Sequence, residues 1–193
     1  LMKKQIRKKL EYVVIQTENL ESAVFTTNLD YLNLLSSSKI WEWSYYNKEY
    51  LEKKYKFNIE KIYDFKFKNQ NISDKNSRDI DLFFCGMENE YRKEILTKIK
   101  ETYPKLKCFF SLRYNLTDPE QLNKILSRSK YILNIPFYKP GVLATHRINK
   151  ALSCGCKVIT ENSCDERLDE IYLSNENVKF TDDIISKVGE IFN

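Results

Sequence analysis

Residues 131–161, YILNIPFYKPGVLATHRINKALSCGCKVITE, spell out a strand, a loop, a helix and a second strand in immediate succession. Tyr131-Ile132-Leu133-Asn134-Ile135 is an apolar run of strand length, and Pro136 and Pro140-Gly141 bound a turn. Ile148, Ala151 and Leu152 then fall on one helical face, and Lys157-Val158-Ile159-Thr160 reads as the returning strand. Such a unit closes as a right-handed crossover between parallel strands, so its loop lies at the carboxyl edge of the sheet, where open α/β folds take their ligands. Pro140-Gly141 turns the chain sharply into the helix, and the first-turn amides are expected unpaired and outward, an arrangement that suits an anion. His146, Arg147 and Lys150 follow within two turns and are expected to gather around the same anion.

The rest of the second half repeats this alternation. Ile80 to Cys85 reads as an inner strand ending at Gly86, Asn89 to Tyr103 as a helix, Leu106 to Phe110 as a strand, and Asp118-Pro119-Glu120 as a capped helix start running to Leu126. Asp165 to Ile171 is a short helix, Val178 to Phe180 a last strand, and Thr181 is placed as the cap of a terminal helix through Ile191. Five strands alternating with helices predict a doubly wound, Rossmann-like parallel sheet. In the first half, strands are expected over 12–15, 39–45 and 59–67, with helices over 30–36 and 47–55: a partial sheet of the same kind. The polar stretch 69–78, NQNISDKNSR, lacks large apolar residues and is the expected linker, giving an acceptor-side unit over 1–77 and a ligand-binding unit over 78–193.

Composition narrows the class. A chain of 193 residues with 42% hydrophobic residues can bury a core, and four glycines and four prolines leave little room for disorder. The net charge of +5 is dispersed among alternating lysines and acids, which argues for a solvated surface and against a dedicated nucleic-acid face. The basic run at 1–11 could be taken for a nucleic-acid arm, but with Ile6 and Leu10 four apart it reads more readily as an amphipathic helix with a solvated basic face. Five cysteines, mostly in apolar surroundings, read as reduced thiols. Cys154-Gly155-Cys156 with Cys164 invites a metal reading, but zinc wants a second paired set and the chain has one histidine, so no metal is assigned. The absence of a leader-like start and of a long apolar run leads to the expectation of a cytoplasmic protein, in which the acceptor patterns at Asn71 and Asn115 are chance.

Pro136-Phe137-Tyr138-Lys139-Pro140-Gly141-Val142-Leu143 followed by Ala151-Leu152-Ser153-Cys154-Gly155-Cys156-Lys157-Val158-Ile159 resembles the nucleotide-sugar segment of GT-B glycosyltransferases. Upstream, Asp81-Leu82-Phe83-Phe84-Cys85-Gly86-Met87-Glu88-Asn89-Glu90-Tyr91-Arg92 is similar to the opening of the donor-binding domain in a group of these enzymes. Gln16-Thr17-Glu18-Asn19-Leu20, Ile40-Trp41-Glu42-Trp43-Ser44 and Asn47 are similar to the late part of their first domain. The family often carries a pair of glutamates in the nucleotide-sugar segment; Val142 and Lys150 stand in the corresponding places, and Arg147 or Glu161 would have to take part of that role. The resemblance implies transfer of a sugar from a nucleoside-diphosphate sugar to an unidentified glycan, protein or small-molecule acceptor, without a metal or other cofactor. A first GT-B domain needs more chain than precedes the linker, so a missing N-terminal domain or a partner chain is expected.

Several residues become candidates. Gly86 would let a diphosphate approach the backbone and Arg92 would add charge. Tyr138, Gly141, Val142, Leu143, Thr145, His146 and Arg147 form the loop and helix start that would hold the donor. Arg113 and Tyr114, beside Ser111, resemble the part of the site that meets the base; Tyr114 would stack on it, or simply pack. Glu161 would accept ribose hydroxyls at the strand end. His146 is open to four readings, as phosphate donor, catalytic base, core or surface residue. Glu18, at a sheet edge facing the interdomain cleft, would contact the acceptor or serve as base, or else cap the next helix. A non-catalytic interaction module derived from such an enzyme is the alternative.

Overall fold

In the computed structural model, residues 12–22, 25, 27–70, 78–112 and 118–193 are described. The basic run at 1–11, the centre of the expected linker at 71–77 with Asn71, and the loop holding Arg113, Tyr114 and Asn115 lie outside them. Contacts divide the chain into two units, Leu1–Asp64 and Phe65–Asn193.

The first unit is a parallel three-stranded sheet in the order β1-β2-β3, formed by β1 (Val13–Gln16), β2 (Lys39–Glu42) and β3 (Ile59–Ile62). Helices α1 (Leu29–Ser36) and α2 (Tyr45–Tyr55) make the crossovers. Leu35, Ile40, Leu51 and Ile59, with Phe25 and Phe57, form its core. Two strands stop earlier than alternation predicts. β2 ends at Glu42 because the Ser44 side chain accepts the Asn47 amide and starts α2 there. β3 ends at Ile62, and the chain from Phe65 onward belongs by its contacts to the second unit.

The second unit contains β4 (Ile80–Cys85), α3 (Glu90–Thr102), β5 (Cys108–Ser111), α4 (Pro119–Arg128) and β6 (Ser129–Asn134). It continues with α5 (Thr145–Ser153), β7 (Lys157–Glu161), α6 (Glu166–Leu173), β8 (Val178–Thr181) and α7 (Ile184–Phe192). All five strands run parallel in the order β5-β4-β6-β7-β8. Strand β4 lies inside the sheet with both faces covered: Leu82, Phe83 and Phe84 are each 0% exposed, which is why it reads as an unbroken apolar run. Ile95, Leu96 and Ile99 of α3 pack with Ile184 and Val188 of α7 over Leu82, Phe84, Leu133 and Ile159. Each fully buried side chain of this size contributes about 1.5–3 kcal/mol. Asp118 caps α4 with Pro119 at its first turn, as the sequence predicts, and Asn89 caps α3. The terminal helix is capped by Asp183, not by Thr181: the Asp183 carboxylate accepts the amides of Ile185 and Ser186, while the Thr181 hydroxyl accepts the Asp183 amide. A carboxylate at the N-terminus also gains from the helix dipole, which a hydroxyl does not.

Candidate functional site

Strand order reverses at β4 and β6: β5 lies on one side of this pair, β7 and β8 on the other. The loops that leave the carboxyl ends at such a reversal diverge, and a crevice opens between them. Here they are residues 86–89 and 135–144.

Arg92 ties the two loops together. Its guanidinium donates to the Ile135 carbonyl at 3.1 and 2.6 Å and to the Met87 carbonyl at 2.9 Å. Asn89 adds a bond from its side-chain amide to the Phe137 carbonyl at 2.7 Å, while its side-chain oxygen accepts the Arg92 amide at 2.9 Å. With Arg92 only 4% exposed, its charge is directed into the backbone of both loops. Gly86 makes room for it: a Cβ there would stand 3.1 Å from both the guanidinium and the Phe84 ring. The Gly86…Asn89…Arg92 spacing therefore first serves to build the switch point.

The second loop is tightly folded. A Cβ on Gly141 would lie 2.5 Å from the Tyr138 carbonyl oxygen and 2.9 Å from Pro136 Cβ, so no larger residue fits without moving backbone. The Lys139–Pro140 peptide is cis. The Gly141 carbonyl accepts the Cys164 amide at 3.0 Å. Tyr138 packs edge-on against Phe137. Val142 and Leu143, 9% and 2% exposed, point into the core, so of these two residues the backbone alone belongs to the loop surface.

Helix α5 starts without a side-chain cap at Ala144. The amide of Thr145 pairs with the Leu143 carbonyl and that of Arg147 with the Ala144 carbonyl, each at 2.9 Å. Two of the amides expected to face outward are thus taken up by the tight turn that begins the helix. The Thr145 hydroxyl is different: buried with the residue 4% exposed, it has no hydrogen-bond partner. Leaving such a group unsatisfied costs about 1–3 kcal/mol.

The basic residues behind the loop separate. Arg147, half-buried, lies over the Phe84 ring and donates to Asn134 Oδ1 at 2.9 Å, and Asn134 donates in turn to Thr160 Oγ1 at 3.0 Å. This file of polar groups crosses the carboxyl ends of β6 and β7. His146 and Lys150 lie on a different side of α5, against the segment that opens the second unit. His146 meets the Phe65 ring at 5.7 Å, and Lys150 lies over Phe67 at 5.2 Å. Asn149 donates to the Phe65 carbonyl, and the Gln70 amide to the Ser153 carbonyl. Crowding by surrounding protein, and after it the Arg147 charge, push the His146 imidazole below the usual histidine range. The residue keeps solvent access, which limits the cost of charging it.

Glu161, 6% exposed, ends β7. One carboxylate oxygen accepts the Tyr91 hydroxyl, and the other has the Lys139 ammonium at 3.1 Å. That ammonium also lies over the Tyr91 ring at 4.1 Å. Burial and the hydrogen bond to Glu161 raise the Tyr91 phenol above its ordinary value.

At the carboxyl edge of the first sheet, Glu42 is 0% exposed, and one of its oxygens accepts from the amides of Trp43 at 2.9 Å and Ser44 at 3.3 Å and from Asn47 Nδ2 at 3.3 Å. The other accepts from Gln16 Nε2 at 2.8 Å. Burial outweighs these four donors and pushes the Glu42 carboxyl up to about 7. Glu18, partly exposed, follows β1, and its amide is held by the Gln16 side chain.

Asn134, Tyr91 and Lys139 were not singled out from the sequence. Asn134 had a signal, as a polar residue closing an otherwise apolar strand; Tyr91 and Lys139 had none, because only the fold brings them beside Glu161. No family model matches the chain, and no curated protein matches its sequence.

Proposed function

We propose that the chain is a GT-B-like glycosyltransferase, or the donor-binding part of one, acting on a nucleoside-diphosphate sugar. The observation that carries this reading is the start of α5: an uncapped helix, at the loop following the switch-point strand β6, with the Arg147 guanidinium held by Asn134 in its first turn. A phosphate at this turn would take up the positive end of the helix dipole. Arg147, anchored by Asn134, would neutralise charge on the departing diphosphate. The motif resemblance, in family order along both units, supplies the substrate class. His146, turned toward Phe65, is the candidate acid or base of lesser weight, and Glu18 remains the candidate on the acceptor side.

Titration calorimetry with UDP, GDP and their sugar conjugates tests the reading. Saturable binding is expected, with Arg147→Ala weakening it about tenfold or more and Arg147→Lys less, as expected for losing a charge-assisted bond. Val142, buried where the family often has a glutamate, favours a second reading, a non-catalytic module on the same fold. Absence of binding to every nucleoside diphosphate, with both Arg147 variants folded, would select it.

A further inference from the structure

Gln16 closes β1 at 0% exposure, and its side-chain amide is engaged on both sides. The nitrogen donates to Glu42 Oε2 and to the Glu18 carbonyl, each at 2.8 Å. The oxygen accepts the Glu18 amide and the Tyr31 hydroxyl, the latter at 3.2 Å. One side chain thus holds both polar groups of the Glu18 backbone, and only one orientation of its amide can do so. Turned over, it would set nitrogen against N–H and oxygen against C=O. Glu42 selects that orientation, because an anionic carboxylate only accepts and so calls for the nitrogen. A neutral Glu42 has a proton to donate. Its Oε1 already accepts the Trp43 and Ser44 backbone amides, which cannot turn round, together with Asn47 Nδ2. The proton is left to Oε2, where it meets the Gln16 nitrogen, itself a donor. Turning the Gln16 amide relieves that clash at the expense of both Glu18 backbone bonds.

We propose that Glu42 and Gln16 form a proton-operated latch on the turn after β1, closed on the Glu18 backbone while Glu42 is anionic and released when Glu42 is neutral. Burial raises the Glu42 carboxyl to about 7 against the pull of its four donors, so the latch closes above that pH and opens below it. Two other titratable groups face the knot, Glu18 from the turn itself and Tyr31 from α1. Burial, and after it the charges of Glu18 and Glu42, raise the Tyr31 phenol, which therefore stays a donor across this range. On α2, Lys48 donates instead to the Ile59 carbonyl at 3.4 Å. On β3, Glu60 accepts the Trp41 indole N–H at 3.3 Å, and Lys61 lies over the Trp41 ring at 3.5 Å. For the proposed transferase the latch puts the acceptor-side candidate Glu18 under pH control. That consequence rests on the glycosyltransferase reading; the latch itself does not.

The test is NMR of the full chain from about pH 5 to about pH 9, following the Glu42 carboxyl, the Glu18 backbone amide and, as a control in the second unit, the Leu133 amide. The Glu18 amide is expected to shift with the midpoint of the Glu42 carboxyl. Below that midpoint its protection from hydrogen exchange, corrected for the intrinsic rate, should fall about fivefold, as for one lost hydrogen bond, while Leu133 is unaffected. Glu42→Gln, permanently neutral, should hold the Glu18 amide in its low-pH state at every pH. Gln16→Met removes the latch and leaves Glu42 to titrate, so the Glu18 amide should be unprotected throughout and lose the shared midpoint. A Glu18 amide that stays protected while Glu42 titrates, a Glu42 carboxyl that does not titrate in this range, or a shared midpoint that survives in Gln16→Met would each overturn the proposal. Should either variant fail to fold, the wild-type titration decides the matter alone.

Discussion

Where the first sheet ends, the groups gathered on Glu42 satisfy its carboxylate from four donors; where the second ends, the Thr145 hydroxyl is left over. Gln16, Glu42 and Ser44 are each 0% exposed and Asn47 is 2% exposed, and the Glu42 carboxylate accepts from all three neighbouring elements of this knot. At the second sheet the Thr145 hydroxyl has no partner, while Glu161 is held by Tyr91 and by Lys139. Both edges belong to parallel α/β units, so both occupy the place where such folds put ligands. The difference lies in unspent hydrogen-bonding capacity: a buried network that closes on itself rigidifies its unit, whereas an incomplete one is stabilised by whatever completes it.

The comparison can be broken by attacking the supports of each edge. Arg92→Ala should have the largest effect, a destabilisation of about 3–5 kcal/mol in denaturant unfolding, because it removes the bonds that tie both switch-point loops. If the switch point survives that change intact, Arg92 is not its support.

Glu42→Gln addresses the closed edge through pH. The folded carboxyl titrates at about 7, above its ordinary value near 4.5, so the native state holds the proton more tightly than the unfolded chain between those values. Stability should therefore be fully present below about pH 4.5, fall as pH rises toward 7, and level off above, by up to roughly 3 kcal/mol. The glutamine variant should flatten this slope and be the more stable protein at pH 8; an unchanged slope would show that Glu42 does not carry it.

Gly141→Ala should cost about 1–3 kcal/mol, since its Cβ meets the Tyr138 carbonyl oxygen at 2.5 Å, and should weaken any ligand of the α5 turn. Thr145→Val has the smallest expected effect and sharpens the contrast most. Replacing an unpartnered hydroxyl with a methyl should raise the stability of the protein by up to about 1 kcal/mol. Loss of stability on Thr145→Val would place a partner on the hydroxyl and close the second edge as well.

Much of the architecture is legible in the residues themselves. The apolar run Leu82-Phe83-Phe84, the Asp118-Pro119 helix start and the helical face formed by Ile148 and Ala151 specify a strand, a cap and a buried face through local periodicity and turn chemistry, and each stands where those rules put it. Strand ends were less legible, because β2 ends through competition between extended pairing and the Ser44 cap, which the alternation in Trp41-Glu42-Trp43 does not record.

The site divides along the same line. That a tight turn built on Gly141 would follow β6 and precede α5 was settled by the order of residue types along the chain. The partners were decided by tertiary structure: Arg92 turned into the loop backbones, Arg147 to Asn134, His146 toward Phe65, and Glu161 to Tyr91 and Lys139. Periodicity assigns a side chain to a face of its own element, but its partners come from elements remote in sequence, and only the packed sheet brings Tyr91, Lys139 and Glu161 to one corner.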